Sequence, residues 1–409
     1  MSPVDTAACP PPRPTGSSPR AADVASRRLR VLLISHTCQS RSEGQPKACR
    51  LAQMPDIHLK VITPDRWLHY GKWRQPDMAG GGYGLDLEVA KVRWPWAGPA
   101  QFYMHWYPQL KTILCNFRPD VIDLWEEPWG LVSVHACRLR NRFLPGAKIV
   151  SETEQNIDKV LPFPFERFRS YTLRNADYAI GRSAEAVQIL RAKGYRGPAE
   201  VVPNAVDAEL FRPMDREACR LHLGLSRFVA GYVGRLVEEK GLHDLVEAIR
   251  LCRAPVRLVL VGTGPLQAAL ERQACDADLK DRVVFLGGRP PDELPRIMNA
   301  FDVLVLPSRT TPRWKEQFGR VIIEAHACGV PVIGSNSGAI PDVIGEAGRV
   351  VPERDPAALA AALTELASWP EVVRELGLAG RRQVERQYTW QKVADRMAAI
   401  YRKAVGIER

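Results

Sequence analysis

Short apolar runs alternate with amphipathic stretches along this chain, and the alternation runs through twice. In the first half the runs are RLRVLLISH (28–36), IHLKVITP (57–64), DVIDLW (120–125), AKIVSE (147–152), ADYAIGRS (176–183) and AEVVPN (199–204). Each is short, rich in branched residues and closed by polar ones, as a buried strand is. Helical stretches fall between several of them, such as 130–143 and 183–194, the latter with Ser183 as N-cap and Gly194 just past its end. The second half restarts the pattern, with strands at 228–234, 256–262, 282–287, 301–307 and 330–335 and helices at 241–252 and 265–277. Strands alternating with helices imply parallel sheets with helices on both faces. The expected fold is therefore α/β, with two doubly wound Rossmann-like domains. We divide the chain into a disordered tail over 1–26, domains over 27–205 and 206–388, and an amphipathic helical segment over 389–409. Ligands are expected at the carboxyl ends of strands, in the cleft between the domains.

Bulk properties narrow the function classes. The 409 residues are 45% hydrophobic and 25% charged, an ordinary soluble composition. No apolar run approaches a membrane span, and the start lacks the apolar core of a secretory signal. Nine cysteines without a Cys-x-x-Cys pair argue against a disulfide frame or zinc site and for buried free thiols in a reducing cytoplasm. The net charge of +11 is unevenly placed: residues 27–205 carry 26 Lys/Arg against 17 Asp/Glu, whereas residues 206–409 carry 29 against 27. A basic first half attracts phosphates, anionic lipid or nucleic acid.

The stretch KEQFGRVIIEAHACGVPVIG (315–334) places Glu316 and Glu324 eight residues apart around an apolar run. A helix from near Gly319 to Cys328, stopped by Gly329, would present free N–H groups to an anion, with Gly319 allowing close approach. Glu324 would face a ligand from within that helix, or pair with Arg320 four residues before it. In GYVGRLVEEKG (231–241), Arg235 and Lys240 follow a strand end and can both reach a diphosphate, or stay as solvated loop charges. The turn LVLVGTGP (258–265) has Gln267 where a dinucleotide fingerprint needs a third glycine, so alone it implies only a tight strand–helix turn.

Taken in order, Arg235 with Lys240, the VGTGP turn, DVLVLPS, the Glu-x7-Glu pair, ACGVPVIGSNSGAIPDVI and VVPNAVD (201–207) resemble the retaining glycosyltransferases of family four, group 1 enzymes with the GT-B fold. The resemblance is strong over about residues 200–400. It implies transfer of a sugar from a nucleotide diphosphate sugar, of UDP or GDP type, with configuration kept. It also implies a last helix crossing back to the N-terminal domain. By position, Arg235 and Lys240 would bind and stabilise the leaving diphosphate, and Glu316 would contact the donor sugar. Phe318, Gly319, Arg320 and Val321 would border sugar and phosphate mostly through backbone, beside the strand-end glycines Gly234 and Gly262. Glu324 would hold the ribose hydroxyls. Preformed cations and a helix dipole suit a leaving group that gains charge, so no metal and no cofactor are implied, and no Asp-x-Asp motif is present.

The N-terminal half matches less well. Where relatives carry His-Glu-Pro, this chain has Glu126, Glu127 and Pro128, so Glu126 replaces the histidine. Where relatives often carry a glycine pair after the first strand, only Gly44 is present. Glu154 or Asn156 could also face the cleft. Ten aromatics (Trp67, Tyr70, Trp73, Tyr83, Trp94, Trp96, Phe102, Tyr103, Trp106 and Tyr107) are mixed with Arg66, Lys72, Arg74, Lys91 and Arg93. About half suit core packing, and the mixture suits a membrane interface or a sugar platform. It also fits single-stranded nucleic acid, but no nucleic-acid module is recognisable, and no nucleic-acid partner is expected. The reading is a cytoplasmic glycosyltransferase, peripheral on the inner face of the cell membrane, acting on a lipid-linked or glycan acceptor in envelope or exopolysaccharide synthesis. The rivals are a soluble acceptor such as a small thiol or cyclitol precursor, an epimerase or phosphorylase on the same architecture, and a basic lipid- or nucleic-acid-binding protein with a degenerate donor site.

Overall fold

The computed structural model describes residues 27–69, 72–78, 84–94 and 100–407. The tail over 1–26 and the aromatics Tyr70, Tyr83 and Trp96 lie outside them. The chain forms two compact units. One holds the described residues up to Arg182, Ala186–Val202 and those from Ala394 onward; the other holds Ser183–Glu185 and Pro203–Val393.

The first unit contains β1 (Leu29–Ile34), β2 (Ile57–Pro64), β3 (Trp67–His69), β4 (Lys72–Arg74), β5 (Asp86–Ala90), β6 (Val121–Leu124), β7 (Lys148–Thr153), β8 (Tyr178–Gly181) and β9 (Ala199–Val201). Seven of them make one sheet in the order β5-β2-β1-β6-β7-β8-β9, parallel at every pairing. β3 and β4 form a separate antiparallel hairpin, which the alternation of the sequence does not indicate. β1 and β6 are almost wholly buried because helices cover both faces.

The second unit contains β10 (Phe228–Val233), β11 (Val256–Val261), β12 (Val283–Gly287), β13 (Val303–Leu306), β14 (Val332–Ser335) and β15 (Gly348–Val351). They form a six-stranded parallel sheet in the order β12-β11-β10-β13-β14-β15. Its core is one continuous cluster. In both sheets the chain builds outward from the first strand, then returns to that strand's other side. This reversal falls between β1 and β6 in the first unit and between β10 and β13 in the second. In open α/β sheets the loops that leave the carboxyl ends of such neighbouring strands diverge, and ligands bind there.

The first unit carries a buried charge cluster. Lys47 donates to Glu152 (2.9 Å) and lies 4.0 Å from Asp123. Arg182 also pairs with Glu152. The Lys47 ammonium stands 3.5 Å from the Trp125 ring centroid, a cation–π contact. The helix Trp390–Val405 joins this cluster: the Tyr401 hydroxyl donates to Asp123 at 2.6 Å. Arg402 reaches Asp56 and Lys403 reaches Glu200 at the surface. Burial, then the charge of Glu152, pushes the Asp123 carboxyl well above its usual range.

Eight cysteines are free among the described residues; Cys275 is exposed and Cys49 half-buried, which departs from the expectation of uniformly buried thiols. Both sit on outward positions of short helices, where a thiol is tolerated without packing.

Tyr401→Phe keeps the ring but removes a donor from a buried carboxyl. Urea unfolding of the first unit is expected to show a loss of about 1–3 kcal/mol. A loss confined to a few tenths would mean that Asp123 does not depend on this hydroxyl.

Candidate active site

In the second unit the loops around the carboxyl ends of β10 and β13 carry most of the residues singled out from the sequence. Gly234 and Gly262 end β10 and β11, with φ of 156° and 139°. A side chain at Gly262 would collide with the Gly234 carbonyl oxygen, so only glycine lets these strand ends meet. Beyond Gly234, Arg235 lies half-exposed, 3.6 Å from Glu239. Lys240 ends a single 3-10 turn, Glu238–Lys240. Its ammonium donates to Glu316 Oε2 at 2.6 Å, and Ser308 Oγ donates to the same oxygen at 2.9 Å. The Trp314 ring centroid lies 4.8 Å from the Lys240 nitrogen. Glu316 itself is buried. The fold thus brings together Lys240 and Glu316, 76 residues apart, at the strand-order reversal.

Three residues on, Gly319 adopts a left-handed conformation (φ 79°, ψ 59°) and the helix Arg320–Ala327 starts. The first N–H groups of a helix have no partner within it, an arrangement suited to an anion. Phe318 is buried and packs edge-on against Tyr388, with centroids 5.9 Å apart. Val321 packs against the core. Both side chains therefore belong to the fold, and only their backbone borders the helix start. Arg320 is exposed and Glu324 half-buried on this helix. Desolvation pushes the Glu324 carboxyl upward, and the Arg320 charge offsets part of that.

Ser308 and Trp314 are not among the residues that sequence pattern singles out. Ser308 closes the DVLVLPS motif, so its place at a strand end is a usable signal. Nothing local marks Trp314; only the fold sets it over Lys240.

In the first unit the corresponding reversal holds a second cluster, built around Glu126 just past β6. His36, just past β1, offers Glu126 two donors. Its backbone N–H lies 2.6 Å from Oε1, and its Nδ1 lies 2.9 Å from Oε1 and 2.8 Å from Oε2. His105 Nε2 lies 3.7 Å from Oε2 on another side, while its Nδ1 faces the Gln101 carbonyl. Burial alone would raise the Glu126 carboxyl, but His36 and His105 hold it down at about 2. The His36 ring is pushed down by burial, yet Glu126 more than reverses this and leaves it raised. The ring stacks on Trp67 (4.6 Å) and meets Phe102 edge-on (5.5 Å). Glu126 thus gathers two imidazoles in space. Neither histidine stands out in the sequence, because each reaches Glu126 only through the fold.

Glu127 points to β7 instead. It accepts from Thr153 Oγ1 (2.5 Å) and from the Glu154 N–H (2.9 Å). Burial raises its carboxyl to about 8 despite these donors. Glu154 is half-exposed and Asn156 buried. Gly44 precedes the helix Gln45–Ala52, and a side chain there would run into the backbone of Thr37 and Cys38. Its glycine is accounted for by that packing. Of the described aromatics between 67 and 107, Trp67 and Tyr107 are buried, while Trp73, Trp94 and Phe102 are exposed. Among the described residues no group of three or more His, Cys, Asp or Glu could hold a metal ion.

Comparison with known proteins bears on this arrangement. Residues 227–368 match the family described as "Glycosyl transferases group 1". The D-inositol 3-phosphate glycosyltransferase of Segniliparus rotundus is 33% identical over 217 residues, 50% of this chain and 47% of that one. The 2-deoxystreptamine glucosyltransferase of Streptomyces kanamyceticus is 31% identical over 338 residues, 79% of this chain and 82% of that one. A GDP-mannose-dependent alpha-(1-6)-phosphatidylinositol monomannoside mannosyltransferase of Mycolicibacterium smegmatis is 33% identical over 246 residues, 56% and 64% of the two chains. The chain spans about half the length of the first of these curated relatives. Among solved structures, sucrose-phosphate synthase from Thermosynechococcus elongatus aligns with a TM-score of 0.72 at 24% identity, covering 93% of this chain and all of that one. Anabaena HepE in complex with UDP also gives 0.72, at 20% identity, covering 92% and 100%. These structures share two parallel-sheet units of the GT-B type. On the extent of the relatives' alignment and on this fold, the chain belongs to the group 1 glycosyltransferases.

Proposed function

We propose that this protein is a retaining, metal-independent glycosyltransferase that moves a sugar from a UDP- or GDP-type donor to a lipid-linked or glycan acceptor in envelope or exopolysaccharide synthesis. The observation that carries the reading is the Lys240–Glu316–Ser308 contact, lying at a strand-order reversal beside the Gly319 helix start. In it, the second unit takes the donor. Arg235 and Lys240 bind the diphosphate and stabilise it as the glycosidic bond breaks. Glu316 accepts hydrogen bonds from the donor sugar, held in place by Ser308. The Gly319–Val321 backbone adds N–H groups at the phosphate, and Glu324 receives the ribose hydroxyls. A pair of fixed cations and a helix start supply positive charge where the leaving group becomes negative, the task a divalent ion performs in other sites.

The first unit takes the acceptor in this reading, with the His36–Glu126 pair, Glu127 and Gly44 nearest its strand ends. Its excess of cations draws it to an anionic surface on the inner face of the membrane. The name of the Mycolicibacterium smegmatis relative, which places a phosphatidylinositol glycoside as its acceptor, supports a lipid-linked substrate. The Streptomyces kanamyceticus relative, named for 2-deoxystreptamine, supports the second reading, a soluble small-molecule acceptor.

Arg235→Ala and Lys240→Ala should each weaken UDP or GDP binding by ~1.5–3 kcal/mol in calorimetry. Unchanged affinity in both would remove the diphosphate assignment. Transfer activity should persist in EDTA; complete loss that magnesium or manganese restores would show that the two cations are insufficient.

A further inference from the structure

The segment after β7 presents apolar side chains to water in an arrangement that the donor and acceptor assignments leave unexplained. Val160 is 86% exposed and Phe163 76% exposed, with Pro162 exposed between them. Two large apolar residues so fully in water on one short loop, with an exposed proline between them, are not the scattered singles of an ordinary surface. The loop is nonetheless held firmly. Leu161 between them is buried, and its N–H donates to Glu166 at 3.1 Å. Arg169, itself buried, donates to the Lys159 carbonyl at 3.2 Å and pairs with Glu166. Phe165 packs on Tyr103, with centroids 4.6 Å apart. The fold therefore fixes the base of the loop while turning its apolar tip outward.

Charged residues flank the tip. Asp158 is paired with Lys193 and Glu166 with Arg169. Lys159 and Arg167 flank the apolar residues, and the Arg167 guanidinium stands 5.2 Å from the Phe163 ring centroid. A narrow apolar tip flanked by cations complements an anionic lipid surface: rings and aliphatic side chains enter the acyl boundary while the cations stay among headgroup phosphates. The loop also leaves the carboxyl end of β7, beside Glu127, Thr153 and Glu154.

We propose that Val160, Pro162 and Phe163 form a wedge that inserts into anionic membrane, with Lys159 and Arg167 at the headgroups. The wedge holds these strand ends at the surface where a lipid-linked acceptor resides. The proposal rests on the lipid-linked reading of the acceptor and names the residues that touch the bilayer.

The test is flotation of the full chain with phosphatidylcholine vesicles and with equimolar phosphatidylcholine–phosphatidylglycerol vesicles, at low and high salt. UDP- and GDP-induced thermal shifts are recorded on every variant. The wild type should float with the anionic vesicles and be released by salt. Val160→Asp/Phe163→Asp should lower partitioning about tenfold or more, since an exposed Phe and Val would no longer leave water. Phe163→Trp should retain partitioning. All variants should keep the nucleotide-induced shift, because the loop lies outside the donor-binding unit. Equal partitioning of the double Asp variant and the wild type would overturn the wedge. Failure of the wild type to float with either vesicle would overturn membrane docking altogether. In both cases a preserved nucleotide shift would leave the donor assignment standing, and its absence from the wild type would instead sink the donor reading.

Discussion

The feature on which the rest depends is the reversal of strand order in each parallel sheet. A parallel sheet buried on both faces offers no open face for a ligand, so its chemistry must sit at a strand end. Where the chain returns to the other side of its first strand, two loops leave adjacent strands in opposite directions and expose backbone and side chains together. β10 and β13 are such neighbours, and their loops deliver Lys240 and Glu316 to one contact. β1 and β6 are the matching pair in the other unit, and they deliver His36 and Glu126. The same topological event has produced a cation–carboxylate pair in one unit and an imidazole–carboxylate pair in the other.

These pairs are kept in place by packing that leaves little slack. The carbonyl of Gly234 lies where a side chain on Gly262 would be, so the ends of β10 and β11 are in backbone contact and the Arg235 loop starts from a fixed point. Phe318 and Val321 are committed to the core, which anchors the start of the Arg320–Ala327 helix. Ser308 adds a second donor to a carboxylate that already faces an ammonium. Glu126 is satisfied from several sides, so a carboxylate remains charged in a buried setting where it would otherwise take up a proton. Glu127, next in sequence, has only neutral donors and a neighbouring acid, and its carboxyl moves the other way. Adjacent residues on one strand end therefore differ in charge behaviour because each faces a different neighbouring strand.

The two halves differ in how far local pattern reveals them. Strand runs such as 57–64 and the final helix over 390–405 coincide with observed elements because period and composition are local properties. The β3–β4 pair and the edge strand β5 have no counterpart in the sequence pattern: most of their residues are exposed or half-buried, so they lack an apolar run. In the second unit the ordered motifs are sequence signals of strand ends and helix starts, so Arg235, Lys240, Glu316 and Gly319 are legible from motif spacing alone. In the first unit the partners of Glu126 come from segments 90 and 21 residues away with no mark of their own.

By itself, then, the sequence determined the α/β class, the two rounds of alternation, the family resemblance and the places of Arg235, Lys240, Glu316 and Gly319 at strand ends and a helix start. Each of these rests on spacing along the chain, where hydrophobic period and turn chemistry act over a few residues. Only the tertiary structure decided that Lys240 meets Glu316, that Trp314 covers the ammonium, that His36 and His105 converge on Glu126, and that Tyr401 reaches Asp123. It also decided that Phe318 turns inward while Phe163 turns outward, although both are aromatic residues in apolar company. The reason is physical: contacts across neighbouring parallel strands depend on strand order and on what covers each face, and neither is encoded within any single stretch of the chain.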